Sequence, residues 1–260
     1  MISLTLTNAI ILFIAAVLGG TLNSVAGGGS LIGFPSLIFT GVPSIQANAT
    51  NTVALWPGSV ASGVAYRKEL ATLRRGLTFL LSATSLVGGV LGALLLLHTP
   101  QSLFNHLIPF LLLIATLLFA FSGQITARLR MLSIEKMRLT WPILVIVSFV
   151  QLIIATYGGY FGGGMGLLLL AVLAMLGMKD IHAMNGLKTV LTVAVNGVAV
   201  ITFIIAGAIV WPQAILMIVG AIVGGYGGAY YARKMDQRWI RVFVIVVGVC
   251  LTIYFFVRYY

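Results

Sequence analysis

Charge is nearly absent from this chain of 260 residues: Asp, Glu, Lys and Arg together make up 7% of it, and only 4 residues are acidic. With 60% hydrophobic residues and a mean hydropathy of +1.13, that scarcity excludes a soluble fold and gives an all-α polytopic membrane protein. Glu69, Glu135, Asp180 and Asp236 all fall between apolar segments, so no span carries the acids of a proton relay or of paired acid–base chemistry. The single cysteine, Cys250, excludes an internal disulfide and is read as a small core residue. Three histidines, His98, His106 and His182, are too scattered for a metal-ligand set. There is no His-Glu-x-x-His, no glycine-rich stretch ending Gly-Lys-Ser or Gly-Lys-Thr, and Ser30 lacks a Gly-x-Ser-x-Gly context. No cofactor, metal centre or catalytic residue is expected, and an intramembrane enzyme is disfavoured. The opening Met1-Ile2-Ser3-Leu4 shows neither a basic stretch nor a cleavage site, so the first apolar run is expected to stay.

The basic residues present are placed unevenly. They gather at Arg67, Lys68, Arg74 and Arg75, at Arg128, Arg130, Lys136 and Arg138, and at Arg233, Lys234, Arg238 and Arg241. A net charge of +11 would point to nucleic acid in a soluble protein, but in short loops between spans it marks the cytoplasmic side. The loops near 98–106 and 207–213 carry no Lys or Arg and are expected to face outward. Clear apolar segments run over about 46–66, 76–97, 104–123, 183–206, 209–232 and 239–257.

Two further apolar runs, 7–39 and 141–178, are too long for one span of about 20 residues and too short for two. Each is broken by glycines, at Gly27-Gly28-Gly29-Ser30 and at Gly162-Gly163-Gly164-Met165-Gly166, on an offset of 135 residues. Later, Gly88-Gly89-Val90-Leu91-Gly92 matches Gly224-Gly225-Tyr226-Gly227-Gly228 on an offset of 136, which makes the chain a duplication. The basic loop at 67–75 answers to the uncharged loop near 207–213, and 98–106 to the basic 233–241. Equivalent loops therefore lie on opposite sides, so the two repeats are inverted and each crosses an odd number of times. The expected architecture has, in each repeat, a glycine-broken re-entrant or discontinuous helix pair followed by three transmembrane helices. Its units are a first repeat over 1–125, a basic cytoplasmic linker over 126–140 and an inverted second repeat over 141–260. The tips, around Asn23 to Ser30 and Tyr157 to Gly166, are expected to enter from opposite faces and meet near the bilayer centre.

A repeated break inside membrane helices points to a transporter with its site at the breaks. Helix resumes at about Leu31 and Leu167, aiming the positive end of its dipole at the tip, and glycine permits both close approach and the positive φ of an anion-binding nest. Candidate ligands are Gly27, Gly28, Gly29, Gly162, Gly163 and Gly164 through the main chain, and Asn23, Ser24, Ser30 and Tyr157 through side chains. Downstream, Asn48-Ala49-Thr50-Asn51-Thr52 pairs with Asn185-Gly186-Leu187-Lys188-Thr189 on an offset of 137, adding Asn48, Asn51, Thr52, Asn185 and Lys188. Lys188, a charge inside an apolar segment with no carboxylate nearby, has two readings: a point charge for an anion, or a residue that snorkels to the interface. Glycines at 88, 89, 92, 224, 225 and 228 are read as helix-packing surfaces. Trp56-Pro57, Trp141-Pro142 and Trp211-Pro212 are read as interfacial anchors and as helix starts or kinks.

The stretch from Asn23 to Ser30 with Pro35, then Gln46-Ala47-Asn48-Ala49-Thr50-Asn51, then Asn185-Gly186-Leu187-Lys188, resembles the TauE/SafE family of membrane permeases over nearly the full length. The resemblance implies transport of small sulfur-containing anions, such as sulfite, sulfoacetate or other organosulfonates, across a prokaryotic cytoplasmic membrane. The second tip departs from the first, reading Tyr157-Gly158-Gly159-Tyr160 where the first reads Asn23 to Ala26. The expectation is a secondary carrier whose partners are a small anion and membrane lipid, not nucleic acid; assembly with further copies of itself stays open. An anion channel of the same architecture is the alternative.

Overall fold

The structure is a computed structural model that describes residues 4–26, 28–65, 75–131, 141–178, 180–232 and 237–260. Those residues form helices throughout: α1 (Leu6–Ala26), α2 (Ser30–Phe39), α3 (Ser44–Ala65), α4 (Arg75–His98), α5 (Gln101–Met131), α6 (Trp141–Tyr160), α7 (Met165–Met175), α8 (Ile181–Ile205), α9 (Trp211–Ala232) and α10 (Gln237–Tyr259). A bilayer leaves no other choice, because only a helix satisfies its own backbone polar groups within one segment. Six described stretches are long and apolar enough to cross: Leu6–Asn23, Arg75–His98, Gln101–Ile125, Trp141–Tyr160, His182–Ile205 and Val242–Tyr259. α3 is as long as these, but Gln46, Asn48, Thr50, Asn51 and Thr52 lower its hydropathy.

The broken runs become helix pairs with unequal arms. α1 and α6 have 21 and 20 residues, each long enough for a full crossing. α2 and α7 have 10 and 11 residues, about 15–16 Å at 1.5 Å per residue, roughly half the hydrocarbon thickness. Both short arms end alike, with Gly41 at φ 89° and Gly177 at φ 81°. Val42 N–H then donates to Leu37 O and Met178 N–H to Leu173 O, the Schellman arrangement that closes a helix.

Packing interleaves the two halves. α1 lies along α9 and α6 along α4; α3 packs on α9 and α8 on α4; α2 meets α10 and α7 meets α5; α3 crosses α8, and α5 runs beside α10. Exchanging each helix for its counterpart in the other half turns this set of contacts into itself. The α1–α9 and α4–α6 seams are lined by glycine: a methyl on Gly20 or Gly224 would strike the backbone of Ala221 or Val17, and one on Gly92 or Gly159 that of Thr156 or Gly89. Gly92 and Gly224 thus take the packing role expected of them. One seam adds a buried hydrogen bond, Gln151 Nε2 to Ser85 Oγ (2.7 Å); the other has Ala16 and Ala221 in the corresponding places.

Three expectations shift. Trp141 and Trp211 open α6 and α9, but Trp56 lies inside α3 and donates from its indole nitrogen to Val193 O on α8 (3.1 Å), so it ties two helices instead of starting one. Cys250 is exposed instead of buried: among the described residues α10 packs chiefly on α5 and α2. α5 continues to Met131, into the segment expected as linker. The basic positions 67–74 and 132–138 lie outside the described residues, as do Arg233 and Lys234.

Candidate functional site

The two tips come together on one stretch of α5. Gly28 packs so closely on Phe119 that a Cβ there would stand 2.9 Å from its ring. Gly164 lies against Ala115 and Leu118, and Gly163 against Ala115. Residues 115–119 span little more than one helical turn near the middle of α5's apolar stretch Gln101–Ile125. Phe34 of α2 meets Phe161 of the second tip edge to face at 5.5 Å.

The tips use glycine differently. Gly162 and Gly164 have φ of 76° and 77°, the left-handed region that suits glycine, and Gly164 stands at the N-cap of α7 with no side-chain cap. Gly29, the N-cap of α2, has a helical φ of −57°, and neither Gly28 nor Gly29 takes a positive φ. Close approach is what requires glycine here, since a methyl on Gly29 would strike the carbonyl of Gly19 in α1. The positive φ expected of both tips is thus found, among the described residues, only in the second. Helix resumes at Ser30 and Met165, slightly earlier than expected. Leu31 N–H donates to Gly28 O and Leu167 N–H to Gly164 O, so part of each helix start is already satisfied locally.

Side chains from α3 and α8 gather at these tips. Asn48 Nδ2 donates to Tyr160 O (2.8 Å), reaching from α3 to the end of α6. Asn51, one turn along, has its amide oxygen against Gly33 of α2, where a methyl would collide with it. Asn48 and Asn51 are each 1% exposed, and Asn48 Oδ1 and both the amide oxygen and nitrogen of Asn51 have no partner among the described residues. From α8, the half-buried Lys188 lays its aliphatic stem against Gly166, just past the second tip, where a Cβ would stand 3.5 Å from its Cδ. Asp180 is eight residues earlier, about 12 Å along α8, and is occupied as the N-cap, accepting from His182 N–H (3.0 Å). It cannot pair with Lys188.

The remaining candidates divide. Asn23 Nδ2 donates to Ser59 Oγ (3.0 Å). Tyr157 donates its hydroxyl to Gly163 O (2.6 Å), bracing the second tip from within. Thr52 turns its hydroxyl to Asn48 O, and Thr189 turns its own to Asn185 O, the same local bond in both halves. Asn185 and Ser30 are half-buried. Gly27 and the side chain of Ser24 lie outside the described residues. His98 and His106 each bond through Nδ1 to a carbonyl of their own helix, Leu94 O and Ser102 O.

Sequence reasoning passed over Ser59, the partner of Asn23, and Thr192, whose hydroxyl oxygen is buried and unpartnered one turn beyond Lys188. Helical spacing does hold the signal. Ser44, Asn48, Asn51 and Ser59 fall on one face of α3, and Asn185, Lys188, Thr192 and Asn196 on one face of α8. An offset of 137 carries Asn48, Asn51 and Ser59 onto Asn185, Lys188 and Asn196. These are two polar ladders on the helices that cross at Trp56 and Val193.

A family model described as "Sulfite exporter TauE/SafE" matches residues 12–255. A "Probable membrane transporter protein" of Haemophilus influenzae is 29% identical over 243 residues, covering 93% of this chain and 92% of that protein. A "Probable membrane transporter protein ORF9" of a Sinorhizobium species is 30% identical over 244 residues, with 93% and 90% covered. "Probable membrane transporter protein YfcA" of Escherichia coli K12 is 26% identical over 245 residues, with 93% and 87% covered. No solved structure matches.

Proposed function

Because the chain belongs to the sulfite exporter TauE/SafE family, we propose that it is a secondary transporter of small sulfur-containing anions, sulfite, sulfoacetate or other organosulfonates, across a prokaryotic cytoplasmic membrane. The observation that carries this reading is the set of buried polar atoms without partners beside the paired tips, both amide atoms of Asn51 and Oδ1 of Asn48. Buried polar groups are normally hydrogen-bonded, and an unsatisfied set beside a break in membrane helices is one that a bound polar ligand would complete. An oxyanion offers acceptors to the amide of Asn51, to the glycine-rich main chain of the tips and to the ammonium of Lys188, with Thr192 in reach along the same face of α8. Asn48 and Asn51 also present acceptors, which suit a protonated oxygen such as that of bisulfite.

In this reading the repeats are inverted and the site lies between the hairpin tips. The contact pattern that maps onto itself under exchange of halves supports it: shifting the α1–α9 seam against the α4–α6 seam exposes the tips to one side and then the other. The test is uptake of labelled sulfite into proteoliposomes preloaded with unlabelled sulfite, sulfoacetate, taurine, sulfate or chloride, with empty liposomes as control. Saturable uptake stimulated from the far side by a sulfur anion is the expected result. Flux that neither saturates nor responds to preloading makes the protein a channel instead.

A further inference from the structure

Lys188 breaks the symmetry of the two polar ladders. The offset of 137 that matches Asn48 with Asn185 and Ser59 with Asn196 places Lys188 opposite the neutral Asn51. It is the eighth residue of a 25-residue helix, and its stem rests on Gly166 at the second tip. Four helices pack against α8. α3, α6 and α7 contain no charged residue, and α4 carries only Arg75 and His98, at its two ends. With Asp180 held at the N-terminal end of α8 as its cap, eight residues from Lys188, none of these elements supplies a counter-ion.

We propose that Lys188 makes this carrier an obligatory exchanger. The bound anion is the counter-ion that lets the loaded protein reorient, and the empty protein, holding an ammonium without a counter-ion, returns slowly or not at all. An unpaired ammonium is strongly disfavoured inside a membrane protein, whereas an anion a few ångströms away offsets that cost. The inference rests on the carrier reading above, and it fixes the mode of transport.

The full chain is reconstituted in proteoliposomes loaded with labelled sulfite at mildly acidic pH, where singly charged bisulfite predominates, with the membrane potential clamped by an ionophore. Efflux is followed into medium with unlabelled sulfite and into medium with none. In the unaltered protein, exchange should exceed net efflux by roughly a hundredfold, the penalty of one unpaired intramembrane cation. Lys188→Gln should slow exchange but bring the two rates within a few-fold of each other, while Lys188→Arg, which keeps the charge, should keep the imbalance. Voltage gives a second readout. The loaded native carrier is neutral, so its exchange should ignore the clamped potential, whereas exchange by Lys188→Gln should respond to it. Net efflux as fast as exchange in the unaltered protein, or a ratio unmoved in Lys188→Gln, overturns the inference and leaves the carrier standing. No sulfite flux above empty liposomes removes the carrier reading and the exchange mode together. If Lys188→Gln does not assemble, the rate ratio and voltage response of the unaltered protein still decide.

Discussion

Asn51 concentrates the conflict between stability and use. A buried amide with neither atom bonded costs about 1–3 kcal/mol relative to a satisfied one, and a leucine, branched in the same way though bulkier, would remove that cost. Asn51→Leu should therefore unfold at the same temperature as the native protein or higher, while sulfite counterflow falls at least tenfold; a variant that still transports would assign Asn51 to packing. Tyr157→Phe deletes the hydroxyl that braces Gly163, a bond worth about 0.5–1.5 kcal/mol. It should lower thermal stability slightly and transport more, because what it loosens is the tip. Single residues were legible in proportion to their contrast with an apolar background, and so Asn48, Asn51 and Lys188 stood out in the sequence. Their partners did not, because nothing local joins Asn23 to Ser59 or Asn48 to the carbonyl of Tyr160, 36 and 112 residues away. Trp56 misled for the same reason: a Trp-Pro pair resembles an interfacial anchor until the chain from another half is laid against it.

At the level of elements, the glycine breaks predicted helix pairs correctly, yet the same residue type answers to two physical demands. Gly164 requires the left-handed backbone region, which costs an L-residue about 1–2 kcal/mol, and has room around it; Gly29 has an ordinary helical backbone and no room, with the Gly19 carbonyl in the way. Asparagine visits the left-handed region more readily than other residues with a Cβ. Gly164→Asn should therefore keep more stability and more transport than Gly164→Val, whereas Gly29→Asn and Gly29→Val should be equally damaging, read by thermal unfolding and by counterflow. Sequence could not separate these cases, since steric room is a property of the packed seam. The lengths of α2 and α7 were legible, because a run of apolar residues between a glycine cluster and a capping glycine bounds the helix at both ends.

For the whole molecule, the interleaving of halves has a direct test. α1 finds its main partner in α9 and α4 finds its own in α6, so residues 1–131 expressed alone should not yield a protease-resistant protein, and co-expression with residues 132–260 should restore one. In a background with Cys250 replaced, single cysteines at positions 70, 135 and 235 should react with an impermeant reagent from the cytoplasmic side, and one at position 207 from the other; labelling of 70 and 235 from different sides would remove the inverted arrangement. Glycine and charge spacing point to a duplication but not to the exchange of partners between halves, because a repeat pattern says which parts are equivalent and not which parts touch. That exchange sets a timetable for biogenesis. α1 ends at Ala26 and α9 begins at Trp211, 185 residues later. At synthesis rates of about 5–20 residues per second, the glycine-lined face of the first helix waits roughly 10–40 s in the membrane before the helix that covers it leaves the ribosome. The insertion machinery must shelter that face for the interval, and a pause in translation before α9 prolongs its exposure.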